Sequence, residues 1–285
     1  MEHCCVTPWS FGLEGDELHK LKEPWGIASN RRGELIVSDY KEDQVKVYDK
    51  AGKFLHAFRP PPQTHIYDVA TDRNGNIYVL SFMKKAEDEE WTLKVSVHDD
   101  ASKLRRTFDV RKDALEMFSY ISPLAVSDRN KVMVLGRLHS GKYGKYVVDV
   151  YETDGRFVRS FGEGIFKSAS AITAASEGRV MIVSGPTIHV LSEEGDQLFS
   201  FPLAEGVSVS PRIAFHWPSE NVIVADLNHR RLFMQINTKD GKFARTIYLS
   251  GDERYWLKGI TVTDDVHIAI TFGATTLPYG KVIVL

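Results

Sequence analysis

The stretch VIVADLNHRRLFMQIN (222–237) consists of two apolar, strand-like runs on either side of a polar segment. That segment contains Asp226, Asn228, His229, Arg230 and Arg231. Such a segment occurs either in a catalytic or nucleic-acid-binding site or at the turn of a repeated β-hairpin. The pattern of the rest of the chain bears on which of these interpretations applies.

The first apolar run recurs along the whole chain. The matching runs are GELIVSDY (33–40), GNIYVLSF (75–82), NKVMVLGR (130–137), GRVMIVSG (178–185), ENVIVADL (220–227) and DVHIAITF (265–272). Aligned on Leu35, Ile77, Val132, Val180, Val222 and Val266, they are separated by 42, 55, 48, 42 and 44 residues. A period of this size is typical of solenoids and propellers.

Each run belongs to a unit of four short strands. A strand and a polar turn precede it, as in DVATDRNG (68–75), and a strand with alternating apolar residues follows it, as in VKVY (45–48). A Gly- or Asp-rich turn then leads to a fourth strand, such as FLHAF (54–58). Period-two alternation with frequent turns predicts antiparallel four-stranded units, and the radial repetition of such units makes a β-propeller.

The last unit, which ends at KVIVL (281–285), lacks a fourth strand. The segment VTPWSFG (6–12) ends in Ser-Phe-Gly, as the fourth strand FVRSFG (157–162) does. We therefore predict an all-β, six-bladed β-propeller of four-stranded antiparallel blades, closed by an N-terminal strand that completes the last blade. The predicted single domain, 1–285, has blades at about 24–58, 66–108, 121–161, 170–201, 210–249 and 257–285 plus 6–12.

Composition limits the classes of function. The chain has 36 basic and 38 acidic residues and a formal charge of −2, so no overall field attracts it to nucleic acid or an anionic membrane. It contains no apolar run of membrane-spanning length and no signal-peptide pattern, and Cys4 and Cys5 are adjacent. These features predict a soluble, cytoplasmic protein with no membrane partner.

No common catalytic motif is present in the sequence. The patterns G-x-S-x-G, G-x-x-x-x-G-K-[ST] and H-E-x-x-H are all absent. A propeller metal site needs ligands from several blades at the central axis, and only His65 and Asp68, on one blade, are suitable there. We predict no catalytic residue, no metal and no cofactor, and a metal-dependent hydrolase or lyase is the less favoured alternative.

Three segments, PWGIA (24–28), GNIYV (75–79) and ADLNHRRL (225–232), resemble the NHL-repeat family of β-propellers. The other blades depart from the Asp-x-Asn-His-Arg signature of the fifth. In this interpretation the polar segment stabilises the turn of a β-hairpin, because Asp226 and Asn228 can accept hydrogen bonds from backbone amides at the turn.

The resemblance implies a function for the chain. NHL propellers are often the C-terminal domains of tripartite-motif (TRIM-NHL) ubiquitin ligases, where they select protein substrates or bind RNA. The sequence contains no RING or B-box array of cysteine and histidine. The resemblance therefore implies a targeting domain for a ligase, without the RING and B-box region.

Loops between second and third strands, and loops between blades, share one face of a propeller, which we call the loop-rich face. The long loops predicted there are 81–91, 109–120, 136–146, 250–258 and 271–281. Long loops on a rigid scaffold commonly carry binding residues. We therefore expect partners to bind at the loop-rich face.

Two kinds of partner fit this face. Basic residues interleaved with aromatics favour single-stranded RNA. The candidates are Arg137, His139, Lys142, Tyr143, Lys145 and Tyr146, extended by Lys167, Arg230 and Arg231.

The mixed charge of the whole face favours a protein partner instead. The acidic run 87–90 lies near Lys84 and Lys85, and aromatic anchors are available for an interface. These aromatics are Trp91, Phe118, Tyr120, Tyr255 and Trp256. We predict a non-catalytic recognition scaffold for a protein substrate or adaptor, with RNA binding as the alternative.

Overall fold

A computed structural model describes residues 8–13, 17–61, 64–84, 91–111, 123–138, 145–208, 210–228, 231–250, 254–274 and 279–285. These residues form six four-stranded antiparallel sheets, and the innermost strands of successive sheets contact one another around a ring. The predicted all-β, six-bladed propeller is confirmed.

The strands follow one another blade by blade. Blade 1 contains β2 (Pro24–Ser29), β3 (Leu35–Asp39), β4 (Gln44–Tyr48) and β5 (Phe54–Phe58), and blade 2 contains β6 (Thr64–Thr71), β7 (Ile77–Lys84), β8 (Trp91–His98) and β9 (Leu104–Asp109). Blade 3 contains β10 (Leu124–Val126), β11 (Lys131–Arg137), β12 (Tyr146–Glu152) and β13 (Phe157–Phe161), and blade 4 contains β14 (Ala169–Ala175), β15 (Arg179–Ser184), β16 (Thr187–Ser192) and β17 (Gln197–Pro202). Blade 5 contains β18 (Arg212–His216), β19 (Asn221–Asn228), β20 (Arg231–Thr238) and β21 (Phe243–Ser250). Blade 6 contains β22 (Tyr255–Val262), β23 (Ile268–Ala274), β24 (Lys281–Val284) and β1 (Trp9–Phe11).

The core lies between neighbouring blades. The second strands, such as β3, are buried along their length, because each sheet is covered on both faces, whereas the outermost strand β9 is largely exposed. Between blades 3 and 4, for example, Leu135, Val148 and Val180 are completely buried in one apolar cluster. Each blade therefore buries its apolar side chains against the next blade.

The N-terminal strand closes the ring, as predicted. Strand β1 pairs antiparallel with β24, with Trp9 opposite Val284 and Phe11 opposite Val282. The Phe11 ring lies 4.6 Å from the Tyr48 ring of blade 1, centroid to centroid. Gly52 has a φ of +77°, and a Cβ atom there would lie 2.6 Å from the Trp9 ring. A glycine is therefore required where blade 1 covers the closing strand.

The sequence alignment is wrong at one anchor. Val266 was aligned with Leu35 and Ile77, which begin β3 and β7, but it lies in a turn, with a φ of +72°. Strand β23 begins two residues later, at Ile268. The Val266 amide donates to the Thr263 carbonyl at 2.9 Å and closes the turn. Residues 263–266 therefore belong to the turn and not to the strand.

Asp226 and Asn228 have a structural role, but not the one that their position in the hairpin suggested. The carboxylate of Asp226 accepts hydrogen bonds from the amide and hydroxyl of Ser208, and the side-chain amide of Asn228 donates to the Gly206 carbonyl at 2.8 Å. Both side chains thus hold the loop that enters blade 5. Asp39, at the end of β3, binds the loop that enters blade 1 in the same way, through the amides of residues 22 and 23, both at 2.9 Å.

Buried side chains also join neighbouring blades near the axis. They donate hydrogen bonds to backbone carbonyls in, or directly before, the next innermost strand. The pairs are Ser38 with Tyr67 at 3.3 Å, Ser170 with Pro211 at 3.2 Å, Arg212 with Lys258 at 2.6 Å and Thr271 with Trp25 at 2.6 Å. Asp68 accepts a hydrogen bond from the Leu124 amide at 3.1 Å, which joins blades 2 and 3.

Within the described residues, the structure has no helix with both the length and the apolar character needed to cross a membrane.

The closing strand provides a test of the fold. We expect Phe11→Ala to lower the free energy of unfolding by about 3 kcal/mol, because it removes a buried aromatic ring from the joint between the last blade and the first. Urea denaturation measures this quantity. The matched control is Leu13→Ala, two residues along the chain and 44% exposed, which should change it by less than about 0.5 kcal/mol. Equal losses in the two variants would contradict the closure.

Candidate functional site

The predicted partner-binding residues that the structure describes all lie at the loop-rich face. Arg137 ends β11, Lys145 and Tyr146 are at the start of β12, Lys167 precedes β14, Arg231 begins β20, and Tyr255 and Trp256 begin β22. His139, Lys142, Tyr143 and Arg230 lie outside the described residues, as do the acidic run 87–90, Lys85, Phe118 and Tyr120.

The structure divides the predicted basic residues into two groups. Arg137, Lys145 and Lys167 belong to blade 3 and the loop that follows it, whereas Arg231 belongs to blade 5. Blade 4 lies between them and presents the uncharged turn Gly185–Pro186 at this face. The described residues therefore do not form the continuous basic strip that their order in the sequence suggested.

An acidic side chain also compensates one of the lysines. The ammonium of Lys145 lies 2.7 Å from a carboxylate oxygen of Glu163, and both side chains are more than half exposed. Glu163 belongs to the loop that leaves blade 3, so inspection of loop 136–146 alone missed it. Such a surface pair adds little stability, but it lowers the net positive charge offered to a phosphate backbone.

Blades 5 and 6 present aromatic side chains at the same face. We define the blade 5/6 surface as Arg231, Tyr248, Tyr255 and Trp256. The Trp256 side chain is 49% exposed and that of Tyr248 is 63% exposed. The ammonium of Lys281 lies 4.1 Å from the centroid of the half-buried Tyr255 ring. Exposed aromatics, together with this cation–aromatic pair, resemble the composition of protein interfaces.

Charged residues also occupy the loop-rich end of the axis. Asp68 of blade 2 and Arg212 of blade 5 occupy corresponding positions on opposite innermost strands, and both are buried. A Cβ atom on Gly26 would lie 2.1 Å from a carboxylate oxygen of Asp68, so glycine is required for the close approach of β2 and β6.

The environment of Asp68 changes its acidity. Burial raises the pKa of Asp68 to about 7, although hydrogen bonds from the Leu124 and Val69 amides and the charge of Arg212 act in the opposite direction. Burial also lowers the pKa of Arg212 to about 10, against the charges of Tyr67, Asp68 and Asp226. Desolvation disfavours both charged forms.

A cavity of about 560 Å³ extends along the axis from Asp68 to the face that carries the tight turns. At that face the guanidinium of Arg73 lies 4.4 Å from the ring centroid of Trp217, which belongs to the opposite blade. The hydroxyls of Ser29 and Thr71 on the cavity wall hydrogen bond to other blades. These wall hydroxyls therefore help to join the blades.

The two metal-ligand candidates at the axis do not come together. His65 Nδ1 lies 3.1 Å from an Asp43 carboxylate oxygen of blade 1, whereas Asp68 is buried at the axis. In the part of the chain that the structure describes, no three His, Cys, Asp or Glu side chains are grouped so that they could hold a metal ion.

Sequence reasoning gave no functional weight to Arg212 and Lys258. The available signal was the segment PRIAF (211–215), in which an arginine replaces the small or apolar residue that begins most innermost strands. The neighbours that bury Arg212 come from distant parts of the chain, so this signal does not show its environment.

No family model matches the chain. A stretch of 47 residues, 16% of the chain, is 43% identical to E3 ubiquitin-protein ligase TRIM71 of Xenopus tropicalis, and a stretch of 46 residues is 41% identical to Protein lin-41 of Caenorhabditis elegans. These stretches cover 6% and 4% of the two relatives, so the chain matches only a small part of their length. The fold and the local matches confirm the resemblance to NHL-repeat propellers, and they support a protein-interaction domain.

Solved structures with the same fold are more distant in sequence. A glucose dehydrogenase has a TM-score of 0.64 and 11% identity, over 93% of this chain and 96% of its own. A streptogramin B lyase has a TM-score of 0.59 and 12% identity, over 98% of this chain and 97% of its own. At such identities the similarity shows the propeller fold alone.

The raised pKa of Asp68 predicts a pH effect on stability. The Asp68 carboxylate binds a proton more tightly in the folded chain than in the unfolded chain, where the carboxyl has its ordinary pKa of 3.8. The contribution of Asp68 to the free energy of unfolding therefore falls as pH rises from 3.8 to about 7. We expect Asp68→Asn to reduce the difference in this free energy between pH 4.5 and pH 7.5, measured by urea denaturation.

The control for that experiment is Asp240→Asn, at a side chain that is 67% exposed. A difference between the two pH values that is as large in Asp68→Asn as in the unsubstituted chain would contradict the assignment to Asp68.

Proposed function

We propose that the chain is the partner-recognition domain of a tripartite-motif ubiquitin ligase, that it acts in the cytoplasm, and that it performs no chemistry itself. A protein substrate or adaptor binds at the loop-rich face. No membrane partner is involved.

The blade 5/6 surface is the observation that carries this proposal. Trp256 begins an innermost strand and yet leaves about half of its side chain exposed. Tyr248 is more exposed still, and its ring lies 5.5 Å from that of Phe233, which limits its movement. Large aromatic side chains that are held in place lose little entropy on binding, and they are common hot spots of protein interfaces.

The comparisons support the same proposal. Relatives with a locally similar stretch are described as E3 ubiquitin-protein ligases, a class of protein that must select its substrates. A rigid propeller with a loop-rich face suits that selection, because the loops can vary while the blades maintain the fold. The ligase itself would require the RING and B-box region.

RNA binding is the second candidate, and Lys145, Tyr146 and Lys167 favour it. Lys145 directly precedes β12 of blade 3, Lys167 lies in the loop between blades 3 and 4, and both side chains are exposed. Tyr146, at the start of β12, offers an aromatic ring for base stacking. The ion pair between Lys145 and Glu163 and the uncharged turn of blade 4 weigh against a long phosphate-binding path. We therefore place RNA second.

The protein-binding proposal predicts a loss of affinity in Trp256→Ala. Affinity purification from cells with the unsubstituted chain identifies bound proteins, and calorimetry with each purified candidate measures the dissociation constant. We expect Trp256→Ala to weaken binding by at least about tenfold, because an interface aromatic commonly contributes about 2 kcal/mol.

The matched control is Phe243→Ala. Phe243 is 57% exposed and lies at the end of β21 nearest the tight turns, on the opposite face. This variant should bind as the unsubstituted chain does. Equal losses in Trp256→Ala and Phe243→Ala, or no loss in either, would refute the assigned surface.

The RNA candidate predicts a different result. The affinity for a pool of short single-stranded RNAs should fall steeply between about 50 mM and about 200 mM salt, because phosphate contacts release counterions. The double variant Lys145→Glu, Lys167→Glu should abolish that binding and leave protein binding intact. RNA binding of this kind, together with protein binding that is insensitive to Trp256→Ala, would move RNA to first place.

A further inference from the structure

Arg212 is a buried cation without a carboxylate partner. It is 1% exposed, and its Nε donates to the Lys258 carbonyl at 2.6 Å while its Nη1 donates to the carbonyls of Ser210 and Pro211. Among the described residues, no carboxylate oxygen lies within 4.0 Å of its guanidinium, and Nη2 donates no hydrogen bond. Buried arginines are ordinarily paired, so this one has unused capacity to bind an anion.

Two further donors lie at the same end of the axis. The ammonium of Lys258 lies 4.0 Å from the centroid of the Trp25 ring, and in the described part of the chain it has no carboxylate within 4.0 Å. The indole N–H of Trp25 is buried and has no acceptor among the described residues. An anion that reaches this end of the axis would meet two cations beside the Trp25 ring.

Neighbouring acids act on both cations through space, Asp68 and Asp226 on Arg212 and Glu23 on Lys258. Burial lowers the pKa of Lys258, Glu23 acts to raise it, and the charge of Arg212 lowers it further. The carboxylate oxygens of Asp68 are occupied by the Val69 and Leu124 amides. None of these described carboxylates lies within 4.0 Å of the Arg212 guanidinium or the Lys258 ammonium, so both cations keep donor capacity for an anion.

We propose that the loop-rich end of the axis, formed by Trp25, Arg212 and Lys258, binds the carboxylate of an aspartate or glutamate side chain of a protein partner. This inference rests on the proposed function, and it specifies the chemistry of the partner. The Nη2 of Arg212, which donates no hydrogen bond to the described residues, can donate to one carboxylate oxygen, and Lys258 supplies a second charge.

The arrangement of the cations favours a side-chain carboxylate over the phosphates of RNA. Neighbouring innermost strands are in close contact at this end of the axis, where a Cβ atom on Gly26 would lie 2.1 Å from the Asp68 carboxylate. The cations do not continue as a path along the face, because blade 4 presents an uncharged turn between Lys167 and Arg231. A single carboxylate therefore suits the site better than the successive phosphates of an RNA strand.

The position of the site also favours a protein partner. Lys258 is two residues after Trp256 on β22, so a protein held by the exposed Trp256 lies next to the end of the axis. An acidic side chain from that protein can reach the cations without a second binding surface.

The indole N–H resonance of Trp25 reports on this site. In protein labelled with ¹⁵N at its tryptophans, the Trp25 signal is assigned from its absence in Trp25→Phe. The probes are N-acetyl-glutamate N-methylamide, its glutamine counterpart, and the dinucleoside monophosphate UpU, each titrated at constant ionic strength. We expect the glutamate probe to shift the Trp25 resonance saturably, and we expect no saturable shift from the other two.

Substitutions then test the cations. Lys258→Gln should weaken binding of the glutamate probe by about tenfold, because it removes a charge-assisted contact. Lys167→Gln removes an exposed lysine from the same face and should have no effect. Arg212→Lys keeps the buried charge but loses the Nη2 donor, and we expect it to weaken probe binding more than Lys258→Gln does. Thermal melting verifies that each variant is folded.

The results separate this inference from the proposed function. No saturable shift, or equal shifts from the glutamate and glutamine probes, would overturn the carboxylate site. Stronger binding of UpU than of the glutamate probe would assign the site to RNA phosphate instead. If Trp256→Ala abolishes binding of the cellular partner while Lys258→Gln does not, and the glutamate probe fails to bind, the proposed function stands and the axial site does not.

Discussion

Close contact between the innermost strands is the constraint on which the rest of the structure depends. Each sheet covers its apolar faces only with its neighbours, so a blade gains its full core only when the ring closes through β1 and β24. Near the axis, buried side chains fix the joints by hydrogen bonding to the next strand, as Ser38 does to Tyr67 and Thr271 does to Trp25. Backbone carbonyls near the axis thereby find hydrogen-bond donors on the neighbouring blade.

The same constraint explains why charged groups lie at the axis. Arg212 uses its Nε to bind the Lys258 carbonyl, and Asp68 uses one oxygen to bind the Leu124 amide, so each joins two blades. A neutral side chain would avoid the cost of desolvation, and Ser38 shows that it can form a joint. An arginine therefore provides more hydrogen-bond donors than the joint between the blades requires. Its Nη2 donates no hydrogen bond to the described residues. This excess is the physical reason to assign Arg212 a second role.

The sequence predicts the parts of the structure that depend on local pattern. The recurrence of the second strand, the alternation within strands and the incomplete last unit together predict the propeller and its closure. The pairing of Asp226 with Ser208 and of Lys145 with Glu163 depends on how the interblade loops pack, and no pattern within one repeat shows this. The axial site is less accessible still to sequence reasoning, because Trp25, Arg212 and Lys258 come from three different blades.

The arrangement of the loop-rich face distinguishes between its two proposed partners. An RNA strand follows a path of separated cations, and blade 4 interrupts that path between Lys167 and Arg231. A protein instead needs a compact anchor next to a site for its polar groups. Strand β22 supplies both, because exposed Trp256 and half-buried Lys258 lie two residues apart and the carbonyl of Lys258 holds Arg212 in place. One strand thus couples an aromatic anchor to buried positive charge, a combination that suits an acidic protein segment better than the repeated phosphates of an RNA backbone.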